Sequence, residues 1–343
     1  MSFTGVREEY YKTGELKSTC FECDGVKEGE YREFYKNGNL FVLCNFINGK
    51  KEGEFKEFYI NGNFRTTYNY INGVLEGEYK EFFKNGKLSL TCNYINDKTK
   101  MIWVETPTNP IMKIIDIEAT AKIAKQHNLI LVVDNTFASP YLQNPLDLGA
   151  SIVMHSATKY LGGHSDVVMG ALCTNDDKLY DELGFIANSC GATPGPMDSF
   201  LVLRGLKTLH VRMDRHCENG KAVANFLRNH PKVDKVYWPG FEDHANHDVA
   251  KRQMKDFGGM ISFTLKGNSM EDAFKLASST KVFSLAESLG GVESLIGHPA
   301  TMTHASIPKE VREKAGVVDS LLRLSVGIED INDLLEDLRQ AIG

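Results

Sequence analysis

The stretch His155–Asp166, with the sequence HSATKYLGGHSD, carries the side chains whose types and spacing best suit chemistry. It follows a short apolar run, Ile152–Met154, that is typical of a buried strand. Ser156 and Thr158 alternate around one residue, so both hydroxyls can face the same side, next to Lys159. A lysine at a strand end can form a Schiff base, and neighbouring hydroxyls can bind the phosphate of the same cofactor. On this stretch alone, a surface lysine in a polar loop explains the pattern better than a Schiff-base lysine does. The segments on either side are therefore needed to choose between these two interpretations.

Two further apolar runs end in polar loops before this stretch. Met101–Val104 leads to Glu105–Pro110, and Leu129–Val133 leads to Asp134–Phe137. Continuously apolar strands that alternate with helices predict a parallel sheet buried on both faces, and ligands bind at the carboxyl ends of such strands. The three polar loops should therefore meet at one edge of the sheet.

Asp134 directly follows five apolar residues, so its carboxylate is predicted at a strand end facing Lys159. A fixed negative charge there suits the pyridinium nitrogen of pyridoxal phosphate, because it keeps that nitrogen protonated and makes the ring an electron sink. A helix cap or an ordinary ion pair is the alternative role. A dinucleotide site and a serine nucleophile are disfavoured, because neither a GxGxxG opening a helix nor a Gly-x-Ser-x-Gly elbow occurs. His244 and His247 have HxxH spacing but lack a third ligand nearby, so we expect no metal site.

Six segments in order resemble the cystathionine γ-synthase/γ-lyase family, the Cys/Met-metabolism group of fold-type-I pyridoxal-phosphate enzymes. They are ETPTNP at 105–110, VDNTFASP at 133–140, HSATKYLGGHSD at 155–166, RGLKTLHVRM at 204–213, AESLGGVESL at 286–295 and LRLSVGIED at 322–330. The resemblance covers residues 98–343. It implies an α/β, pyridoxal-phosphate-binding large domain with a parallel-rich sheet at 98–212, truncated at its N-terminal side, and a small α+β domain at 213–343.

The resemblance implies a role for each matching residue of the site. Lys159 would be the Schiff-base lysine and proton shuttle, and Arg323 would bind the substrate α-carboxylate, a bidentate task that suits guanidinium. The remaining positions are Asp134 with Thr136 for the pyridine nitrogen, Asn109 for the phenolic oxygen, Ser156 and Thr158 for the phosphate, and Glu287 and Ser288 for the end of the pocket that takes the substrate side chain.

The implied activity is trans-sulfuration of cystathionine or an O-acylhomoserine, by γ-replacement in a synthase or γ-elimination in a lyase. Both reactions use the residues retained here. Before residue 98, however, the family's arm with Tyr and Arg, its Ser-Gly-Met turn and its ring-stacking tyrosine are not found. Each such contact is worth on the order of one to a few kcal/mol, so we expect catalysis to be weakened or lost. The alternatives are a non-catalytic binding protein that uses its repeats and a chimeric fusion with an inactive enzyme remnant.

Residues 1–97 contain four copies of a 24-residue repeat. The recurring positions include Gly5, Gly29, Gly53 and Gly77, and an aromatic-rich run followed by Asn-Gly, as at Asn37-Gly38. Asn-Gly between two β-prone runs is a strong hairpin signal, so each copy predicts a hairpin that stacks on its neighbours into an elongated all-β sheet. This pattern resembles the MORN-like repeats of bacterial antitoxin-type proteins, which implies a surface for a protein partner.

Composition and charge disfavour a nucleic-acid or membrane partner and favour the cytoplasm. The net charge of −6 disfavours a nucleic-acid partner, and no apolar run approaches the ~18 residues of a membrane helix. The first residues lack the pattern of a signal peptide, and an odd count of seven cysteines favours reduced thiols. Cys20 and Cys23 occupy apolar repeat columns, which predicts packing rather than metal ligation. The family resemblance implies a sulfur amino-acid substrate and a homo-oligomer, a tetramer.

Overall fold

The computed structural model describes residues 3–86, 88–95 and 98–343, with residues 88–95 and 98 described by their backbone alone. The chain forms two compact units, Met1–Ile102 and Trp103–Gly343. The boundary predicted between residues 97 and 98 falls at Asp97, which lies outside the described residues.

The first unit is an antiparallel sheet. Its eleven described strands are β1 Gly5–Tyr10, β2 Leu16–Cys23, β3 Val26–Phe34, β4 Leu40–Ile47, β5 Lys50–Lys51, β6 Gly53–Phe58, β7 Phe64–Ile71, β8 Val74–Leu75, β9 Gly77–Phe82, β10 Leu88–Ile95 and β11 Lys98–Thr99. The main path runs β1-β2-β3-β4-β6-β7-β9-β10-β11, with β5 beside β4 and β8 beside β7. The turn between β3 and β4 contains Asn37-Gly38, and Gly38 has a φ of +84°, which glycine adopts without strain.

The 24-residue period of the sequence is expressed as a repeated hydrogen bond. In the first three copies the hydroxyl of one tyrosine donates to a carbonyl 23 residues further along, at 2.8–2.9 Å: Tyr11 to Phe34, Tyr35 to Phe58 and Tyr59 to Phe82. Cys44 and Phe55 lie in the small apolar core of this sheet. The expectation of packing is right for Cys20, which is buried, and wrong for Cys23, whose side chain is exposed at the end of β2.

Trp103–Gly343 contains most of a four-stranded sheet and all of a five-stranded one. The four strands are β12 Met101–Glu105, β13 Ile130–Asp134, β14 Ile152–Ser156 and β15 Gly170–Cys173, in that order. β13 and β14 are parallel, whereas β14 and β15 are antiparallel. The three apolar runs predicted to be strands before the polar loops are confirmed as β12, β13 and β14.

The five-stranded sheet has the order β16-β17-β20-β19-β18. Its strands are β16 Val233–Tyr237, β17 Met260–Leu265, β18 Ser284–Leu285, β19 Leu295–Gly297 and β20 Leu321–Ser325. Every residue of β17 and of β20 is buried, including the polar side chains of Ser262, Thr264, Arg323 and Ser325. The pair is antiparallel.

Helices cover these sheets. The α-helices of the described residues are α1 Ile117–Gln126, α2 Ser139–Leu142, α3 Asp177–Cys190, α4 Pro196–Leu206, α5 Leu209–Arg228, α6 His247–Gln253, α7 Met270–Ser279, α8 Lys309–Lys314 and α9 Ile331–Ile342. α5 runs through the boundary predicted between residues 212 and 213, and its inner face carries fully buried Met213 and Val223. Within the described residues no helix combines the length and apolar character that crossing a membrane requires.

Candidate active site

Three neighbouring strands end in polar residues that line the same cleft. Glu105 ends β12, Asp134 ends β13 and Ser156 ends β14. The cleft has a volume of about 540 Å³, and its lining consists of Glu105, Asn109, Asp134, Thr136, Phe137, Ser156, Lys159, Glu287, Ser288, Leu289, Thr303 and Arg323. The fold therefore brings together every site residue predicted from the sequence except Thr158.

Lys159 lies in a wide helical turn, Ala157–Leu161, that follows β14 directly. Its own backbone leaves the helical region, with φ −92° and ψ −128°. Its Nζ donates a hydrogen bond to Ser288 Oγ at 3.3 Å. Burial and the nearby Arg323 cation both lower the pKa of Lys159. A lowered pKa increases the fraction of neutral amine, which is the form that attacks a carbonyl carbon.

Asp134 is fixed by the start of its own loop. Its Oδ1 accepts a hydrogen bond from the Thr136 amide at 3.0 Å, and Thr136 Oγ1 accepts one from the Ser156 amide at 2.9 Å. These two bonds tie the end of β13 to the end of β14. They leave Asp134 Oδ2 and the Ser156 hydroxyl without a hydrogen-bond partner among the described residues.

Arg323 joins two loops that are far apart in sequence. It lies in β20 and is 3% exposed. Nη1 donates to Asn109 Oδ1 at 3.0 Å, and Nη2 donates to the carbonyls of Glu287 at 2.6 Å and Ser288 at 3.3 Å. Burial lowers the pKa of Arg323 to about 10, although the Glu287 carboxylate acts in the opposite direction. Guanidinium has five N–H donors, so these three bonds leave donors for a carboxylate.

Thr158 is placed differently from the other predicted residues. Its hydroxyl donates to the Met169 carbonyl at 3.3 Å and accepts from the Met169 amide at 3.0 Å. It does not line the cleft described above, and its assignment to a phosphate stays a prediction.

Glu105 is a member of the site that the sequence assignment did not single out. Its Oε1 accepts the Asn109 amide at 2.9 Å. Burial raises the pKa of Glu105 to about 7, and the Asp134 carboxylate adds to this rise. The signal that identified Asp134, a carboxylate directly after an apolar strand, applies equally to Glu105. Phe137 and Thr303 were also not predicted to line the cleft.

The two histidines with HxxH spacing bond to backbone. His244 Nε2 lies 3.0 Å from the Met112 carbonyl, and His247 Nδ1 lies 2.9 Å from the Pro239 carbonyl. Across the part of the chain that the structure describes, no group of three or more His, Cys, Asp or Glu side chains could hold a metal ion.

Comparison with protein families identifies both parts of the chain. The family described as Cys/Met metabolism PLP-dependent enzyme matches residues 59–343, and a MORN repeat variant matches residues 3–21 and 27–48. Both resemblances predicted from the sequence are thus confirmed. The enzyme-family match begins at residue 59, earlier than the predicted start at residue 98.

Individual relatives are similar over 71–72% of this chain. Cystathionine gamma-lyase of Dictyostelium discoideum is 59% identical over 246 residues, which cover 72% of this chain and 63% of that protein. Cystathionine beta-lyase of Lactococcus lactis subsp. cremoris is 56% identical over 247 residues, covering 72% of this chain and 64% of that protein. The crystal structure of cystathionine gamma synthase from Xanthomonas oryzae pv. oryzae in complex with cystathionine has a TM-score of 0.69 at 50% identity, over 71% of this chain and 62% of that one. This chain spans less than two thirds of the length of these relatives.

Proposed function

The chain belongs to the Cys/Met metabolism PLP-dependent enzyme family, and we propose that it binds pyridoxal 5′-phosphate at Lys159 and acts on the sulfur amino acid cystathionine. The observation that supports this proposal most strongly is the cleft itself. Lys159, Asp134 and Arg323 come from three separate elements, and all of them line it.

The polar groups of the cleft fit this cofactor. Lys159 offers an amine of lowered pKa, and Asp134 offers Oδ2, which has no hydrogen-bond partner among the described residues. Asn109 Oδ1 accepts the hydrogen bond from Arg323, so its Nδ2, which has no partner among the described residues, would be the donor to the phenolic oxygen. The Ser156 hydroxyl is available for the phosphate. When bound, pyridoxal phosphate supplies an electron sink for negative charge that develops on the substrate carbons next to it.

The residues of this chain would then divide the work. Arg323 binds the α-carboxylate of the substrate through its remaining N–H donors. Lys159 Nζ, once it leaves the cofactor, takes the proton from the substrate Cα. Ser288 Oγ, which accepts a hydrogen bond from Lys159 Nζ, holds that amine on the substrate side of the cleft. Glu287 lies at the exposed end, where the distal amino group of cystathionine would reach it.

We propose γ-elimination as the reaction to test first, because the Dictyostelium discoideum relative, a cystathionine gamma-lyase, is 59% identical. In that reaction the Cγ–S bond breaks, cysteine leaves with the sulfur, and water releases the remainder as a four-carbon 2-oxo acid and ammonia. β-Elimination would break the Cβ–S bond instead, and with water it would give homocysteine, a three-carbon 2-oxo acid and ammonia. γ-Replacement on an O-acylhomoserine would break its Cγ–O bond, release the acyl group as a carboxylate and join the sulfur of added cysteine to Cγ, which forms cystathionine.

The test begins with the near-visible absorbance of the purified chain after pyridoxal phosphate is added and the free cofactor is removed by dialysis. A retained band in the native chain that Lys159→Ala abolishes supports the proposal. Lys178→Ala is the matched control, because Lys178 is an exposed lysine paired with Glu182. Product analysis with cystathionine, and with an O-acylhomoserine plus cysteine, then separates the three reactions.

A native chain that is folded but retains no band refutes the enzyme proposal. It would instead favour a non-catalytic role in which the repeats bind a partner. A band without turnover would support the cofactor site and refute the catalytic part of the proposal.

A further inference from the structure

A buried arginine lies behind the turn that carries Lys159. Arg212, in α5, is 3% exposed. A buried cation is costly unless its donors are satisfied. In the described part of the chain, the side-chain hydrogen bonds of Arg212 all go to neutral oxygens rather than to a carboxylate. The buried Arg212 cation is therefore satisfied by hydrogen bonds to neutral oxygens and not by an ion pair.

Two of these oxygens belong to the Lys159 turn itself. Arg212 Nη1 donates to the Tyr160 carbonyl at 2.7 Å, and Nη2 donates to the Leu161 carbonyl at 3.4 Å. Nη2 also donates to the Gly205 carbonyl at 2.8 Å, at the end of α4, and Nε donates to Thr208 Oγ1 at 3.1 Å. One planar guanidinium thus connects the turn to the α4–α5 corner.

The backbone of the turn needs this donor. The Gly162 amide donates to the Ala157 carbonyl at 2.8 Å, and the Gly163 amide donates to the Lys159 carbonyl at 2.7 Å. For the carbonyls of residues 160 and 161, the described residues provide no such backbone amide. Both residues are buried, so without Arg212 their carbonyls would carry the cost of an unmade hydrogen bond, about 1–3 kcal/mol each.

Glycines allow this close fit on both sides of the turn. A Cβ on Gly163, which has a φ of +75°, would collide with the Arg212 guanidinium. From the other side, a Cβ on Gly290 would lie 2.9 Å from the Tyr160 amide nitrogen and 3.2 Å from Lys159 Cβ. The Lys159 backbone is therefore held between the Gly290 loop and Arg212.

We infer that Arg212 is a positioning residue, which fixes the backbone of the Lys159 turn and thereby the direction in which the amine enters the cleft. The inference rests on the proposed role of Lys159. A guanidinium suits this task because its rigid fork can satisfy several carbonyls at once, whereas an ammonium group acts as a single point charge. A misplacement of about 1 Å at a reacting group is enough to cost two orders of magnitude in rate.

The first test uses the cofactor-free chain and compares Arg212→Met, Arg212→Lys and the control Arg215→Met. Arg215 lies on the same helix, is exposed and pairs with Glu218. Amide hydrogen exchange is measured for the peptide that contains Gly162 and Gly163. Arg212→Met should speed this exchange about tenfold and Arg212→Lys by a smaller factor, because opening of the turn becomes easier. Arg215→Met should match the native chain. Native exchange in both Arg212 variants overturns the inference.

The second test measures pyridoxal phosphate binding by near-visible absorbance as a function of pH, below the unfolding temperature of each variant. Arg212→Met should weaken binding about tenfold and displace the pH profile of the band, whereas Arg215→Met should leave both unchanged. Unchanged affinity and pH profile in folded Arg212→Met refute the inference. If Arg212→Met does not fold, Arg212→Lys takes its place under the same criteria. If the native chain binds no cofactor, the proposed function fails, and the exchange measurement alone decides the role of Arg212.

Discussion

Asp337→Asn should destabilise the second unit by about 3 kcal/mol. Asp337 lies in α9 and is 4% exposed. Its carboxylate accepts the backbone amides of Lys281, Val282 and Phe283 at 2.7, 2.8 and 3.0 Å. These residues directly precede β18 and the loop that carries Glu287, which lines the cleft. The Asp337 carboxylate therefore fixes the segment that leads into one wall of the cleft.

The loss of about 3 kcal/mol follows from the hydrogen bonds that the side-chain amide of asparagine cannot accept in place of the carboxylate. Asparagine keeps one acceptor oxygen and turns an NH₂ group toward backbone donors, so at least one buried N–H loses its partner. An unpaired buried donor costs about 1–3 kcal/mol, and each remaining bond loses roughly half of its strength when the acceptor loses its charge. Together these effects amount to about 3 kcal/mol. The control is Glu336→Gln on the same helix, because the ion pair of Glu336 with Arg339 is exposed and worth less than about 1 kcal/mol.

The effect should depend on pH in a defined direction. Burial alone would raise the pKa of Asp337, but the amides of Phe283, Lys281 and Val282 outweigh it and hold that pKa below its ordinary value. The stabilisation is therefore complete above about pH 4, where the unfolded carboxyl is ionised, and is lost as the pH falls through the lower folded pKa. Urea unfolding at pH 7 and at several acidic pH values measures both quantities. A loss below about 1 kcal/mol at neutral pH, or a loss that stays constant into acid, would refute this reasoning.

Three further changes have expected outcomes. Arg323→Lys should raise KM for cystathionine more than it lowers kcat, because a single ammonium group cannot form the bidentate carboxylate contact and also bond to Asn109. An unchanged KM in steady-state kinetics would contradict this expectation. Glu105→Gln should gain stability relative to the native chain as the pH rises from about 4.5 to about 7. In that range burial keeps the carboxyl of the folded native chain protonated while the carboxyl of the unfolded chain ionises, so the native chain loses stability. An equal difference in the free energy of unfolding between variant and native chain at pH 5 and pH 8, measured with urea, would contradict this. Tyr35→Phe should destabilise the repeat unit by about 1 kcal/mol by removing the bond to the Phe58 carbonyl, and thermal unfolding measures the loss.

The features that could be predicted from the sequence are those with local causes. The hairpins of the repeat follow from Asn-Gly pairs and from glycines such as Gly38, which adopts a positive φ. The cleft-lining position of Asp134 follows from an apolar strand that ends in a carboxylate, because strand ends in such a sheet meet at one edge. Cys23 shows that a repeat position need not be buried in every copy. The equivalent position is apolar in the other copies, yet Cys23 is exposed at the end of β2.

The features that could not be predicted depend on contacts between distant segments. The Thr158 hydroxyl bonds to Met169, and that contact exists only because the chain returns toward β15. Arg212 belongs to a segment that was recognised by resemblance, yet its contact with Tyr160 spans 52 residues and needs the α4–α5 corner. No periodicity or spacing in the sequence encodes these distances.

The walls of the cleft are connected through buried charges as well as through an apolar core that Phe137, Tyr160 and Leu289 share. Arg323 in β20 joins Asn109, which follows β12, to the Glu287 loop between β18 and β19. Asp337 in α9 holds the segment before β18. Removing one partner of a buried charge costs more than the bond contributes, because the remaining group is left unsatisfied. A destabilising change at Asp337 should therefore displace the Glu287 wall of the cleft before the whole unit unfolds, so stability and ligand binding in this part of the chain respond together.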